Sequence, residues 1–110
     1  MGNLATPEAL VLRWAEICQD ASLENLPYKI ELNSWAKIEM SPASYRHGLL
    51  QGTMAAELGR QLTSGHVLVQ CPMLTEIGVR VPDVAWASDK FVRNNGETTP
   101  CRSAPEICVE

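Results

Sequence analysis

The longest periodic pattern in this sequence lies between residues 45 and 63, where apolar residues return at every fourth position. This spacing places them on one face of an α-helix, and a face this apolar has to be buried against another element. Ser44 is suited to cap the start of the helix. The face is formed by Leu50, Met54, Leu58 and Leu62, broadened by Leu49 and Ala55, and the helix also contains Gly48, Gly52 and Gly59. Because glycine weakens a helix, we expect these three to serve close packing against a sheet.

A shorter amphipathic helix is predicted at residues 7–19, with Thr6 as its N-cap and Pro7 in its first turn. Its apolar residues at helical spacing are Leu10, Trp14, Ile17 and Cys18. After a connector at residues 20–27, the segments 28–32 and 35–40 have alternating character. Asn33 and Ser34, which join them, tolerate turn conformations, so the two segments predict a β-hairpin.

The second half of the chain is predicted to be rich in strands, at residues 66–70, 76–81, 83–87 and 106–110. Residues 88–104 lack apolar periodicity and are predicted to form a long exposed loop. One domain over residues 1–110 is therefore expected, with an α/β fold. In this fold the N-terminal helix is followed by a mixed sheet of about five or six strands, and the long helix packs on one face of the sheet.

Composition excludes several classes of protein. A chain of 110 residues with 45% hydrophobic and 20% charged residues is typical of an ordinary globular domain. Its net charge of -4 argues against coating nucleic acid by bulk electrostatics. No apolar run approaches the roughly 20 residues that span a bilayer, so we expect no membrane partner. The four cysteines, Cys18, Cys71, Cys101 and Cys108, lack zinc or redox spacing and are expected to be reduced, mostly buried thiols in the cytoplasm.

Two proline-led strands each carry a carboxylate that could bind a metal ion. Asp83 follows Pro82, and Glu110 ends the strand that begins behind Pro105. If the strands pair, the two carboxylates converge, and a hard cation such as Mg²⁺ prefers oxygen ligands of this kind. The alternative for Asp83 is a solvated or turn-capping residue at the start of a strand, and for Glu110 a frayed terminus that binds nothing.

The order and spacing of several short motifs resemble the Uma-type restriction endonuclease family of the PD-(D/E)XK nuclease superfamily. These motifs are residues 28–32 (YKIEL), 40–42 (MSP), His47 at the start of a helix, 65–67 (GHV), 81–85 (VPDVA) and 104–110 (APEICVE). The resemblance covers nearly the whole chain. It implies a restriction-endonuclease-like sheet and Mg²⁺- or Mn²⁺-dependent hydrolysis of phosphodiester bonds in DNA.

Carried over residue by residue, the resemblance implies that Asp83 and Glu110 hold the metal ion and that Glu31 and His47 line the same cleft. Taken alone, Glu31 alternates outward in the hairpin and is expected to be exposed. His47, in the first turn of a helix, is more often a surface or locally hydrogen-bonded histidine. Six basic residues could contact phosphate but are interpreted as scattered solvated charges: Arg46, Arg60, Arg80, Lys90, Arg93 and Arg102.

The sequence departs from the family pattern at its C-terminal end. In the family, further strands and a lysine-bearing helix follow the position of Glu110. We therefore expect this chain to be catalytically impaired alone, or to be a piece of a longer product. The alternative is a non-catalytic interaction module that dimerises through the last strand, where Ile107 and Val109 form an exposed edge.

Overall fold

The computed structural model describes residues 3–110, which form three α-helices and seven β-strands. The helices are α1 (Pro7–Gln19), α2 (Tyr45–Gln61) and α3 (Asp89–Asn95). The strands are β1 (Tyr28–Leu32), β2 (Ile38–Pro42), β3 (His66–Val69), β4 (Met73–Thr75), β5 (Gly78–Arg80), β6 (Val84–Ala87) and β7 (Ile107–Val109). A single 3-10 turn, Ala21–Leu23, follows α1. The mixed α/β class expected from the sequence is confirmed.

Helix α1 has the predicted bounds. Thr6 Oγ1 accepts a hydrogen bond from the backbone N–H of Ala9 at 3.1 Å, which caps the helix, and Pro7 occupies its first turn. The buried face of α1 packs on the first sheet in one hydrophobic cluster, formed by Leu10, Trp14, Ile17, Leu32, Val79 and Val81. This cluster is the largest part of the core among the described residues.

The strands form two antiparallel sheets rather than the single mixed sheet that we expected. The first sheet has the order β2-β1-β5-β4 and the second has the order β3-β6-β7. Strand β4 was not predicted, and β2 begins three residues later than the predicted segment, at Ile38. Strands β6 and β7 are shorter than predicted, so Asp83 and Glu110 lie just outside them.

One long, interrupted hairpin joins the two sheets. The pairing of β3 with β6 and the pairing of β4 with β5 share one register, from His66 opposite Ala87 to Thr75 opposite Gly78. The regular ladder breaks where Gln70 has a positive φ of 55° and where Pro82 cannot donate a hydrogen bond. The hairpin therefore changes sheets at this point, which explains why one predicted sheet became two.

Helix α2 begins as predicted, because Ser44 Oγ accepts a hydrogen bond from the N–H of His47 at 3.1 Å. It packs against β3 and β6, but none of its residues is buried. The expectation of a fully buried apolar face is wrong: Leu50 is 59% exposed and Met54 is 40% exposed. The partly buried stripe keeps Ala55, Leu58 and Leu62 of the predicted face and adds Gln51. A sheet of three strands covers only part of so wide a face.

Two further expectations about local structure are wrong. Within residues 88–104, helix α3 replaces part of the predicted loop, and Ser88 caps it by accepting a hydrogen bond from the N–H of Phe91 at 3.1 Å. A helix of seven residues is too short to show clear periodicity. Of the α2 glycines, Gly59 faces Val67, whereas Gly48 and Gly52 face open space and serve no close packing.

Candidate functional site

Asp83 is a buried carboxylate at the point where the long hairpin crosses from the first sheet to the second. Its backbone N–H donates a hydrogen bond to the carbonyl of Val109 at 3.0 Å, and its carbonyl accepts one from the N–H of Gln70 at 3.3 Å. Asp83 is therefore fixed by its backbone between β3 and β7. Its side chain is positioned by the fold and not by a local turn.

Glu110 lies beside Asp83 because β6 and β7 pair there. Val84 is opposite Val109 in the antiparallel register. Asp83 precedes Val84 and Glu110 follows Val109, so these two residues are neighbours across the two strands. Both residues line the same two clefts in the surface. The structure thus brings together the two acidic residues that the sequence singled out.

His47 reaches Asp83 from the first turn of α2. Its Nε2 atom lies 3.0 Å from Oδ1 of Asp83, while its side chain remains 51% exposed. The Asp83 carboxylate is buried, whereas the His47 imidazole faces solvent. One side of the imidazole is therefore held by Asp83, and the rest is accessible from the cleft. This contact links α2 to the crossover of the hairpin, two regions that are distant in sequence.

Lys29, on β1, is the second side-chain partner of Asp83. Its Nζ donates a hydrogen bond to Oδ1 of Asp83 at 3.3 Å and another to the carbonyl of Val81 at 3.0 Å. The lysine side chain is only 16% exposed, because its methylene groups are covered. Asp83 therefore has a positive charge and a histidine on the same oxygen.

These partners determine the ionisation of Asp83. Burial raises the pKa of Asp83, but the hydrogen bond from His47 and the charge of Lys29 lower it by more, so the pKa lies below its ordinary value of 3.8. The carboxylate is consequently charged at neutral pH. A buried, ionised carboxylate at a cleft is a common feature of functional sites, although structural ion pairs share it.

Glu31 has a different role from the one expected. It is buried, not exposed, and it lies outside the linings of the two clefts. One of its carboxylate oxygens accepts a hydrogen bond from the N–H of Val81 at 2.7 Å, and the other accepts one from Arg80 at 3.1 Å. Lys29 and Glu31 project from the same face of β1 and bind the C=O and the N–H of Val81. Glu31 therefore positions the segment that leads into Asp83.

Two clefts meet at Asp83. The polar cleft has a volume of about 510 Å³ and extends from Lys29 past Ser41 and Ser44 to Gln70. The apolar groove has a volume of about 340 Å³ and lies between α2 and β7, with Leu50, Met54, Val84 and Val109 among its walls. Both are lined by His47, Gln51, Asp83 and Glu110. These four residues form the centre of the candidate site.

Sequence reasoning missed Gln51 and Lys29. Gln51 follows His47 by one helical turn, so the i, i+4 rule would have placed it on the same side of α2. Lys29 gives no comparable local signal. It reaches Asp83 only because β1 pairs with β5 in the first sheet, through Leu32 opposite Val79.

The donor set suits Mg²⁺ better than a transition metal. Within residues 3–110 no three His, Cys, Asp or Glu side chains converge as a set of metal ligands. Mg²⁺, however, keeps several of its waters and is commonly bound through one or two carboxylates together with substrate phosphate. In the described part of the chain, all hydrogen bonds and ion pairs of the Asp83 side chain are made by Oδ1. Oδ2 is thus open to a ligand, and Glu110 can supply the second carboxylate.

The four cysteines form no disulfide in the structure. Cys71 and Cys101 are buried with their sulfur atoms 3.6 Å apart, whereas Cys18 and Cys108 are exposed. All four are free thiols, as expected, but only two are buried. Burial raises the pKa of Cys71 to about 12, with a further contribution from its contact with Cys101, so its thiol stays protonated and unreactive at neutral pH.

No protein-family model matches the chain, and no curated protein matches it at a significant level. Among the described residues, no helix has both the length and the apolar character needed to cross a membrane.

Proposed function

We propose that this chain is the metal-holding part of a Mg²⁺-dependent nuclease with a restriction-endonuclease-like fold, which hydrolyses phosphodiester bonds in DNA. The observation that carries the proposal is the meeting of Asp83 and Glu110 at the paired ends of β6 and β7, where both line one polar cleft. The resemblance to the Uma-type nuclease family, stated from the sequence, supports the same chemistry. Mn²⁺ is expected to replace Mg²⁺.

Each carboxylate has a separate task. Asp83 would hold the ion through its carboxylate, whose Oδ1 atom is already bound to His47 and Lys29. Glu110, at the end of the neighbouring strand, would supply the second carboxylate. When bound, Mg²⁺ neutralises charge on the phosphodiester and makes a nearby water easier to deprotonate.

His47 accepts the proton of the attacking water. Because Oδ1 of Asp83 accepts a hydrogen bond from Nε2, the neutral imidazole carries its proton there, and Nδ1 is left as the acceptor. The water oxygen forms a bond to phosphorus and gives its proton to Nδ1. The opposite P–O bond breaks, and its electron pair leaves with the alcohol oxygen, which takes a proton from solvent. Asp83 stabilises the imidazolium that results.

Calorimetric titration with Mg²⁺ and Mn²⁺ tests the metal site. The unmodified chain should bind the ion with a measurable heat, and both D83N and E110Q should lose that heat. E24Q, which changes an exposed glutamate outside the clefts, is the matched control. Equal heats from the unmodified chain and D83N would remove the metal site and, with it, the basis of the proposed nuclease function.

One observation favours a second function, that of a dimeric interaction module. Strand β7 is an edge of the second sheet, and the apolar groove lies between it and α2, with Leu50 and Met54 exposed along it. A second copy that adds its own β7 to this edge would supply apolar side chains to the groove. Light scattering tests this function. A concentration-dependent dimer that V109K abolishes would support it, and a monomer at high protein concentration would exclude it.

A further inference from the structure

The polar cleft has an unfavourable charge for the substrate proposed above. Asp83 and Glu110 both contribute carboxylates to it, and a phosphodiester is itself an anion. A positive group must therefore face the phosphate. Among the described residues that line this cleft, Lys29 alone has a permanent positive charge, because the lining contains no arginine and no second lysine.

The ammonium of Lys29 is held in a fixed position with one donor to spare. An ammonium has three N–H donors, and the protein uses two of them, to the carbonyl of Val81 and to Oδ1 of Asp83. Since the side chain is 84% covered, little conformational freedom remains to be lost when a ligand binds. A fixed donor of this kind is more effective than a mobile surface lysine.

We infer that Lys29 is a catalytic residue of this site, which donates its third N–H to a non-bridging oxygen of the phosphodiester in the polar cleft. For its substrate class this inference rests on the function proposed above. The interaction strengthens as negative charge accumulates on the phosphate oxygens during attack by water, so it lowers the barrier and not only the binding constant. Lys29, on β1, would thus supply the positive charge that offsets the repulsion between the phosphate and the carboxylates of Asp83 and Glu110.

The first test uses the unmodified chain and needs no cleavage. The sequence contains only three lysines, Lys29, Lys37 and Lys90, so the NMR signals of their side-chain nitrogens can be assigned individually. Titration with inorganic phosphate, and then with a short DNA duplex, should move the Nζ signal of Lys29 and leave those of Lys37 and Lys90 in place. A Lys29 signal that stays unchanged while DNA binds would overturn the inference.

The second test separates binding from catalysis. K29M should lower kcat for plasmid nicking by about 100-fold with a smaller change in KM, which is the typical loss for one donor to a developing oxyanion. K29R, which keeps the charge and the contact with Asp83, should recover most of that loss. K37M is the control, because Lys37 is exposed on the hairpin loop. A K29M variant that raises KM and leaves kcat unchanged would exclude a catalytic role for Lys29.

Failure of this inference and failure of the proposed function are distinguishable. If the unmodified chain nicks DNA and K29M nicks it equally well, Lys29 is not catalytic, while the nuclease function stands. If the unmodified chain neither binds Mg²⁺ nor nicks DNA, the nuclease function fails. The NMR titration then decides alone whether Lys29 binds phosphate.

Discussion

Nε2 of His47 lies 3.0 Å from Oδ1 of Asp83, and this contact joins the first turn of α2 to the crossover between the two sheets. The same oxygen accepts a hydrogen bond from Lys29 on β1. Three regions of the chain therefore converge on one carboxylate. The stability of the fold and the geometry of the candidate site depend on the same few interactions. Substitution of these residues should therefore change both.

The charge of Asp83 should stabilise the fold at neutral pH and stop doing so in acid. Its pKa is lowered in the folded state, so its contribution is present above the ordinary value of 3.8 and is lost as the pH falls through the lower folded value. D83N should reduce the free energy of unfolding near neutral pH by about 1–3 kcal/mol. In urea denaturation, the difference between D83N and the unmodified chain should shrink as the pH falls below the ordinary value of 3.8.

The control for this prediction is D89N. Asp89 forms an exposed ion pair with His66 at 3.0 Å, and such a surface pair should contribute less than about 1 kcal/mol. A difference between D83N and the unmodified chain that is the same at neutral and acidic pH would contradict the assignment of the stabilisation to the ionised carboxylate.

Removal of the Glu31 carboxylate should destabilise the protein strongly. E31A leaves the N–H of Val81 without its acceptor and deprives Arg80 of its buried partner. Loss of one member of a buried pair typically costs about 3–5 kcal/mol, whereas E39A, which removes the exposed partner of Arg80, should cost less than about 1 kcal/mol. Thermal unfolding of both variants measures the contrast. Similar losses in E31A and E39A would show that the burial of Glu31 has little energetic effect.

Two glycine substitutions should have opposite effects on stability. G52A should stabilise the protein by about 0.5–1 kcal/mol, because the new Cβ on α2 meets no neighbouring atom and alanine favours the helix. G78A should destabilise it, since Gly78 has a φ of 115° and its Cβ would collide with the carbonyl of Leu32. Denaturant midpoints measured side by side report both effects, and a stable G78A variant would contradict the pairing of β1 with β5.

The buried cysteines should resist alkylation in the native protein. Burial raises the pKa of Cys71 to about 12, so almost none of the reactive thiolate exists at neutral pH. Iodoacetamide followed by mass spectrometry should label Cys18 first and leave Cys71 and Cys101 unmodified until denaturant is added. Rapid labelling of Cys71 in the native state would show that this part of the core opens.

Local pattern was sufficient for the elements that depend on nearby residues. Thr6 and Ser44 cap the two longer helices as predicted, and the span of β1 is also as predicted, because capping and alternation act over a few positions. The proximity of Asp83 and Glu110 could be predicted for a similar reason. Each lies on a proline-led segment that was predicted to be a strand, and the two segments form neighbouring strands.

Tertiary structure decided what lies between distant segments. Long-range strand pairing determines three features: the burial of Glu31, the contact of Lys29 with Asp83 and the division of the strands into two sheets. Alternation within one strand gives no information about that pairing. The exposure of Leu50 and Met54 has the same origin: periodicity identifies an apolar face, but the width of the opposing sheet determines how much of that face is covered. Local propensity and capping act within a few residues, whereas burial, ion pairing and pKa depend on which segments the fold brings together.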